Sequence, residues 1–167
     1  MSATKNKLIV TTPSDREIRL EREFDAPRSL VFEVWSNPEH VRHWWGCRGS
    51  VLTVCEIDLR VGGAYRFVMS SPEMGEHPFK GVFREIVPPE RLVHTQIYDV
   101  EPYSQFEAII TVLFEDIGGR TKVTSTILHQ TTEARDGHLN AGMEFGAGES
   151  YDQLEEILER LQQGGVA

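Results

Sequence analysis

Cysteine is scarce in this chain, which holds only Cys47 and Cys55, close together in a segment that reads as strand. A disulfide framework of the small secreted kind is therefore excluded, and the expectation is two reduced thiols in a cytoplasmic protein. Long apolar runs are missing too: none approaches the ~20 residues that a membrane span needs. Met1 to Lys7 is polar and lacks the apolar stretch of a secretory signal. Basic residues are in the minority, 17 Lys and Arg against 26 Asp and Glu, for a net charge of −9. That balance excludes nucleic acid and anionic membrane surfaces as partners, because both are held by cations that neutralise phosphate. No Gly-x-Ser-x-Gly elbow, phosphate loop or dinucleotide fingerprint occurs.

What is present reads as one domain of 167 residues with a sizeable core. We assign residues 1–15 to an N-terminal extension, 16–162 to the domain and 163–167 to a flexible tail. Within Glu17–Phe24, Ile18, Leu20 and Phe24 alternate with Arg19, Glu21 and Glu23, the pattern of a half-buried strand. Ile9 and Val10 extend that strand or pair weakly with it. Pro27 opens a helix with an apolar stripe of Leu30, Val31, Val34 and Trp35. Asn37-Pro38 caps and starts a second, short helix that carries Val41, Trp44 and Trp45 on one face and ends at Gly46. From Val51 to Leu128 the chain alternates strand and turn, which predicts an antiparallel meander with no crossover helix. A last helix follows, with Met143, Ala147, Ser150, Leu154, Ile157, Leu158 and Leu161 at helical spacing. The predicted class is α+β: a curved antiparallel sheet of about six or seven strands around a long C-terminal helix, with two short helices after the first strand.

The inner face of that last helix begins small and ends large. Glycines 142, 146 and 148 in or beside its first turns each cost up to ~1 kcal/mol relative to Ala. Either they let the backbone approach the sheet, or they leave room for a guest. The second reading predicts a cavity of ~300 Å³ or more between Met143–Ser150 and the sheet. Its lining would come from Trp45, Tyr65, Phe67, Met69, Phe79 and Phe83, with Ile110 and Val112 behind them. Met143, Gly146 and Ser150 would close it from the helix. Adjacent indoles cannot point the same way on a helix, so one of Trp44 and Trp45 is expected in the core and the other at the cavity mouth. The alternative is that both only pack their helix onto the sheet.

Polar residues on apolar faces are candidates for polar cavity groups. Arg22 shares the parity of Ile18 and Phe24, and Glu85 that of Phe79 and Phe83. An Arg22–Glu85 pair inside would satisfy both, whereas a bulge or a position at the sheet rim would turn Arg22 outward. One of the triplets His94, Gln96, Tyr98 and Val93, Thr95, Ile97 must also face inward. Arg60 has two readings, a contact to an anionic ligand group or an ion pair with Glu56 or Asp58. His40 and His43 have no carboxylate or thiol at metal-ligand spacing, so no metal is expected. His129 and His138 near the last helix are an acid–base pair for a bound polyketide or simply solvated. We expect no catalytic residue and no cofactor.

Several stretches carry a resemblance: Phe24-Asp25-Ala26-Pro27, Val31-Phe32 with Trp35, and Pro38-Glu39 with Trp44-Trp45-Gly46. Others are Asp58-Leu59-Arg60-Val61-Gly62-Gly63, Gly81-Val82-Phe83-Arg84-Glu85, Pro89-Glu90-Arg91-Leu92, and Gly142-Met143 with Gly146. In this order, from about Arg16 to Leu161, they resemble the START-like, birch-pollen-allergen-like (SRPBCC) superfamily with its helix-grip fold. The chain is most similar to the family named after the C-terminal domain of the activator of the heat-shock protein 90 ATPase. Relatives often have Pro where Cys47 follows Trp-Trp-Gly. The resemblance implies a hydrophobic cavity between sheet and helix and a small apolar or aromatic ligand. It also implies two alternatives: a co-chaperone-like module acting on heat-shock protein 90, and a polyketide cyclase or dehydratase. The expected state is a monomer or weak homodimer, without the separate N-terminal domain of the eukaryotic co-chaperone.

Overall fold

A computed structural model provides the structure, in which residues 6–164 are described. Eight strands form one antiparallel sheet: β1 (Ile9–Thr11), β2 (Glu17–Phe24), β3 (Val51–Ile57), β4 (Ala64–Ser71), β5 (Gly75–Val87), β6 (Arg91–Tyr98), β7 (Ala108–Asp116) and β8 (Thr121–Leu128). Their order is β1-β2-β8-β7-β6-β5-β4-β3. The strand count exceeds the expected six or seven because Ile9–Thr11, read as part of an extension, pairs with β2 as an edge strand.

Among the described residues four α-helices complete the fold: α1 (Arg28–Ser36), α2 (Pro38–Val41), α3 (Thr132–Asn140) and α4 (Met143–Gln163). Asn37 caps α2 as its sequence predicts, its side chain accepting from the Glu39 amide at 2.9 Å, a contribution of about 1 kcal/mol. That helix is shorter than expected, ending at Val41 and continuing as turns to Trp45. Helix α3 has no counterpart in the sequence expectation, which goes from the meander to the last helix. Thr131 starts α3 by accepting from the Ala134 amide, and Gly142, in the left-handed region at φ 82°, separates it from α4. Of the expected tail, Gln163 still belongs to α4, while residues 165–167 lie outside those described, as do residues 1–5. Among the described residues no helix is long and apolar enough to cross a membrane.

The alternation read in the sequence sets the inner face of the sheet. Ile18, Leu20 and Phe24 of β2, Val112 and Phe114 of β7, and Val123 and Ile127 of β8 are buried there. Against them α4 presents Tyr151, Leu154, Ile157 and Leu158, all buried. Each such aliphatic side chain contributes about 1.5–3 kcal/mol by leaving water. Helix α1 adds Val31, Phe32 and Val34 to the same core. Phe32 and Trp35 meet Phe114 edge-on, at ring-centroid distances of 5.2 and 5.6 Å.

A candidate ligand cavity beneath the tryptophan turn

The two tryptophans divide as the helical geometry requires. Trp44 is buried, its indole N–H donating to the Val34 carbonyl at 3.0 Å. Trp45 is half-buried and packs on Phe67 and Phe79, with ring centroids 4.9 and 5.0 Å away. Under this turn lies a cavity of about 50 Å³ between the end of α1, α2 and strands β3 to β6. Four expected residues line it: Trp45, Tyr65, Phe67 and Phe83. Sequence reasoning missed Trp35, Val41, Ile57 and Leu92 as lining, since nothing local says which core residues border free space.

The cavity under the turn is not the one expected between Met143–Ser150 and the sheet. The observed space is far below the ~300 Å³ of a typical small-ligand site and is lined by no residue of α4. Ser150 explains part of this: its hydroxyl donates to the Trp44 carbonyl at 2.9 Å and accepts from the Gly46 amide at 3.2 Å. Those bonds draw α4 against the turn. A side chain at Gly142 or Gly146 would meet no atom within 4 Å, so these two are not close-packing devices either. Met143 packs at the edge of the core, and Ile110 and Val112 are ordinary core residues. Met69 and Phe79 border the turn from outside the cavity. At the start of α4 an open groove of about 650 Å³ is lined by Lys7, Arg22, Gly142, Phe145, Gly148 and Asp152 among others, with Phe145 72% exposed.

None of the three polar candidates lines the cavity under the turn, although Arg22 borders the groove. Arg22 is buried as its parity demands, yet its partners are on α4: Asp152 at 2.7 Å and Glu155 at 2.5 Å. Glu85 cannot meet it. A bulge after Phe83 shifts the β5–β6 register, and the inserted residue turns Glu85 to the opposite face. There Glu85 accepts from Arg91 at 3.0 Å, while Ile86 packs against the core in its place. Arg60 is exposed and pairs with Asp58 at 2.9 Å. His129 and His138 are half-buried and do not line the cavity. Their rings bond each other at 3.0 Å between β8 and α3. Burial, and then the neighbouring His129, push His138 down to about 4.

The polar groups inside the cavity come instead from β6, where His94 and Gln96 face inward with Leu92. Tyr65 ties the site together. From β4 its ring passes over Gly81 of β5 and its hydroxyl donates to the Thr95 carbonyl on β6 at 2.6 Å. A side chain at Gly81 would sit 2.0 Å from that carbonyl and 2.5 Å from the Tyr65 ring, so only glycine fits. The His94 Nδ1 lies 3.0 Å from the same carbonyl and 3.1 Å from the Tyr65 hydroxyl. Burial lowers the pKa of His94 and raises that of Tyr65, so both stay neutral near pH 7. Among the described residues no cluster of side chains is arranged to hold a metal ion.

Comparison with known proteins places this architecture. A structure from Rhodobacter sphaeroides is 24% identical, with a TM-score of 0.84 over 93% of this chain and 99% of its own. One from Nitrosomonas europaea is 27% identical, with a TM-score of 0.79 over 92% and 99%. The AHSA1 protein of Silicibacter pomeroyi is 22% identical, with a TM-score of 0.70 over 86% and 97%. No curated protein matches the chain. Residues 25–159 match the family described as activator of Hsp90 ATPase homolog 1-like protein. With its curved sheet gripping α4, the chain therefore belongs to that family of START-like, helix-grip proteins.

Proposed function

We propose that this protein binds a small aromatic or apolar molecule beneath Trp45, without turning it over, in the cytoplasm, where Cys47 and Cys55 stay free. One observation carries this reading: an aromatic-lined internal space that also holds polar groups, His94 and Gln96, on its wall. A cavity meant only for packing has no use for them. At about 50 Å³ the resting space holds only a few waters. A one-ring guest enters by displacing them and moving Trp45, the half-buried wall. Turnover finds little support, because acid–base catalysis needs a group titrating near the working pH. Burial drives His94 and Tyr65 away from it in opposite directions.

A thermal-shift series with one-ring and two-ring aromatics, followed by mass spectrometry of each hit, tests the reading. We expect a saturable rise in melting temperature and recovery of the hit unchanged. A flat response across the series would overturn binding, and a converted hit would favour the cyclase alternative. The co-chaperone alternative predicts a saturable rise in the ATPase rate of heat-shock protein 90. We expect none from this chain.

A further inference from the structure

We propose that His94 presents a bare ring nitrogen, Nε2, as a hydrogen-bond acceptor in the cavity, so that the site selects aromatic ligands bearing a neutral donor, phenols above all. The inference rests on the binding reading above and goes beyond it by naming the ligand's chemistry.

The tautomer follows from the partners of Nδ1. A carbonyl oxygen can only accept, and the Thr95 carbonyl lies 3.0 Å from Nδ1. The hydrogen therefore sits on Nδ1. The Tyr65 hydroxyl has already directed its own hydrogen to that carbonyl at 2.6 Å. It can only accept from Nδ1, at 3.1 Å. A neutral imidazole carries one hydrogen, which leaves Nε2 with a lone pair. Burial keeps the ring neutral. Nε2 makes no hydrogen bond among the described residues, although His94 lines the cavity.

Among the other polar groups on the wall, three are satisfied by carbonyls. Ser36 donates to the Phe32 carbonyl, Trp44 to the Val34 carbonyl and Tyr65 to the Thr95 carbonyl. Gln96 has no side-chain hydrogen bond among the described residues and supplies amide donors. An acceptor and a donor facing one aromatic space complement a hydroxyl, which gives one hydrogen and accepts another. A guest lacking the donor leaves Nε2 desolvated and unpaired, the case a polar site discriminates against most strongly.

Phenol and toluene provide a size-matched pair of probes for titrating the wild-type protein and His94→Leu, with ¹⁵N-histidine NMR alongside. We expect phenol to bind at least about fivefold more tightly than toluene and His94→Leu to abolish that preference. The His94 Nε2 resonance of the free protein should be that of an unprotonated nitrogen and should shift on saturation with phenol. Equal binding of the two probes would overturn this inference while leaving the cavity reading intact. Binding of neither would overturn both. Should His94→Leu fail to fold, the wild-type spectrum decides: a protonated Nε2, or one unmoved by phenol, sinks the proposal.

Discussion

Arg22 of β2 and Glu155 of α4 form an ion pair 2.5 Å long inside the wall between sheet and helix, with 4% and 9% of their side chains exposed. Asn6 joins them, donating to Glu155 at 3.2 Å and accepting from Arg120 at 3.0 Å. The network ties the segment before β1, strand β2 and α4 into one unit. The Arg22 Nε has no hydrogen-bond partner among the described residues, so the geometry is not fully satisfied there. Breaking such a pair on one side strands a buried charge, which costs about 3–5 kcal/mol. Arg22→Met should lose that much in urea unfolding. Adding Glu155→Gln removes the stranded charge and keeps an acceptor for Asn6, so the double variant should recover most of the loss. A double variant as unstable as the single one would show that packing, not charge, dominates here.

Gly81→Ala tests the crossing of Tyr65 over β5. The added carbon would lie 2.0 Å from the Thr95 carbonyl, which is backbone and cannot yield cheaply. We expect a destabilisation of about 3 kcal/mol from overpacking, together with altered His94 resonances. A fully stable Gly81→Ala protein with an unchanged His94 spectrum would refute the account of this site.

The His129–His138 pair predicts a pH dependence. Folding holds His138 at about 4, below its ordinary value of 6.5. Between those values the unfolded chain binds more protons than the folded one, so stability falls as pH drops through that window. The stabilisation at neutral pH is therefore fully present above about 6.5 and declines toward 4. The interval corresponds to at most about 3 kcal/mol. Urea midpoints at pH 7, 5.5 and 4.5 should fall more steeply for wild type than for His138→Gln. Parallel curves for the two proteins would exclude the pair as the source.

The parts of the fold legible in the sequence are those written in local periodicity. Ile18, Leu20 and Phe24 declare the buried face of β2, and Asn37-Pro38 declares where α2 begins. Leu154, Ile157 and Leu158 declare the face that α4 buries. Each signal depends on a few neighbouring residues and on the fixed repeat of strand or helix, so it survives without knowledge of the rest. The parity of Arg22 was legible for the same reason, but whether a bulge or a rim position turned it outward was not.

Only the tertiary structure decided where space remains and who meets whom. A cavity is what several elements leave unfilled, and no single segment encodes it; hence the aromatic-lined space under the tryptophan turn could not be read from α4. One inserted residue in β5 reversed the face of Glu85, and α4, distant in sequence, supplied the partners that Arg22 required. His94 faces inward because β6 is placed by its neighbours on both sides, and its Nδ1 lies beside a carbonyl that Tyr65 reaches across Gly81. Periodicity is a property of the chain, whereas free volume and polar partnership belong to the packed assembly of its elements.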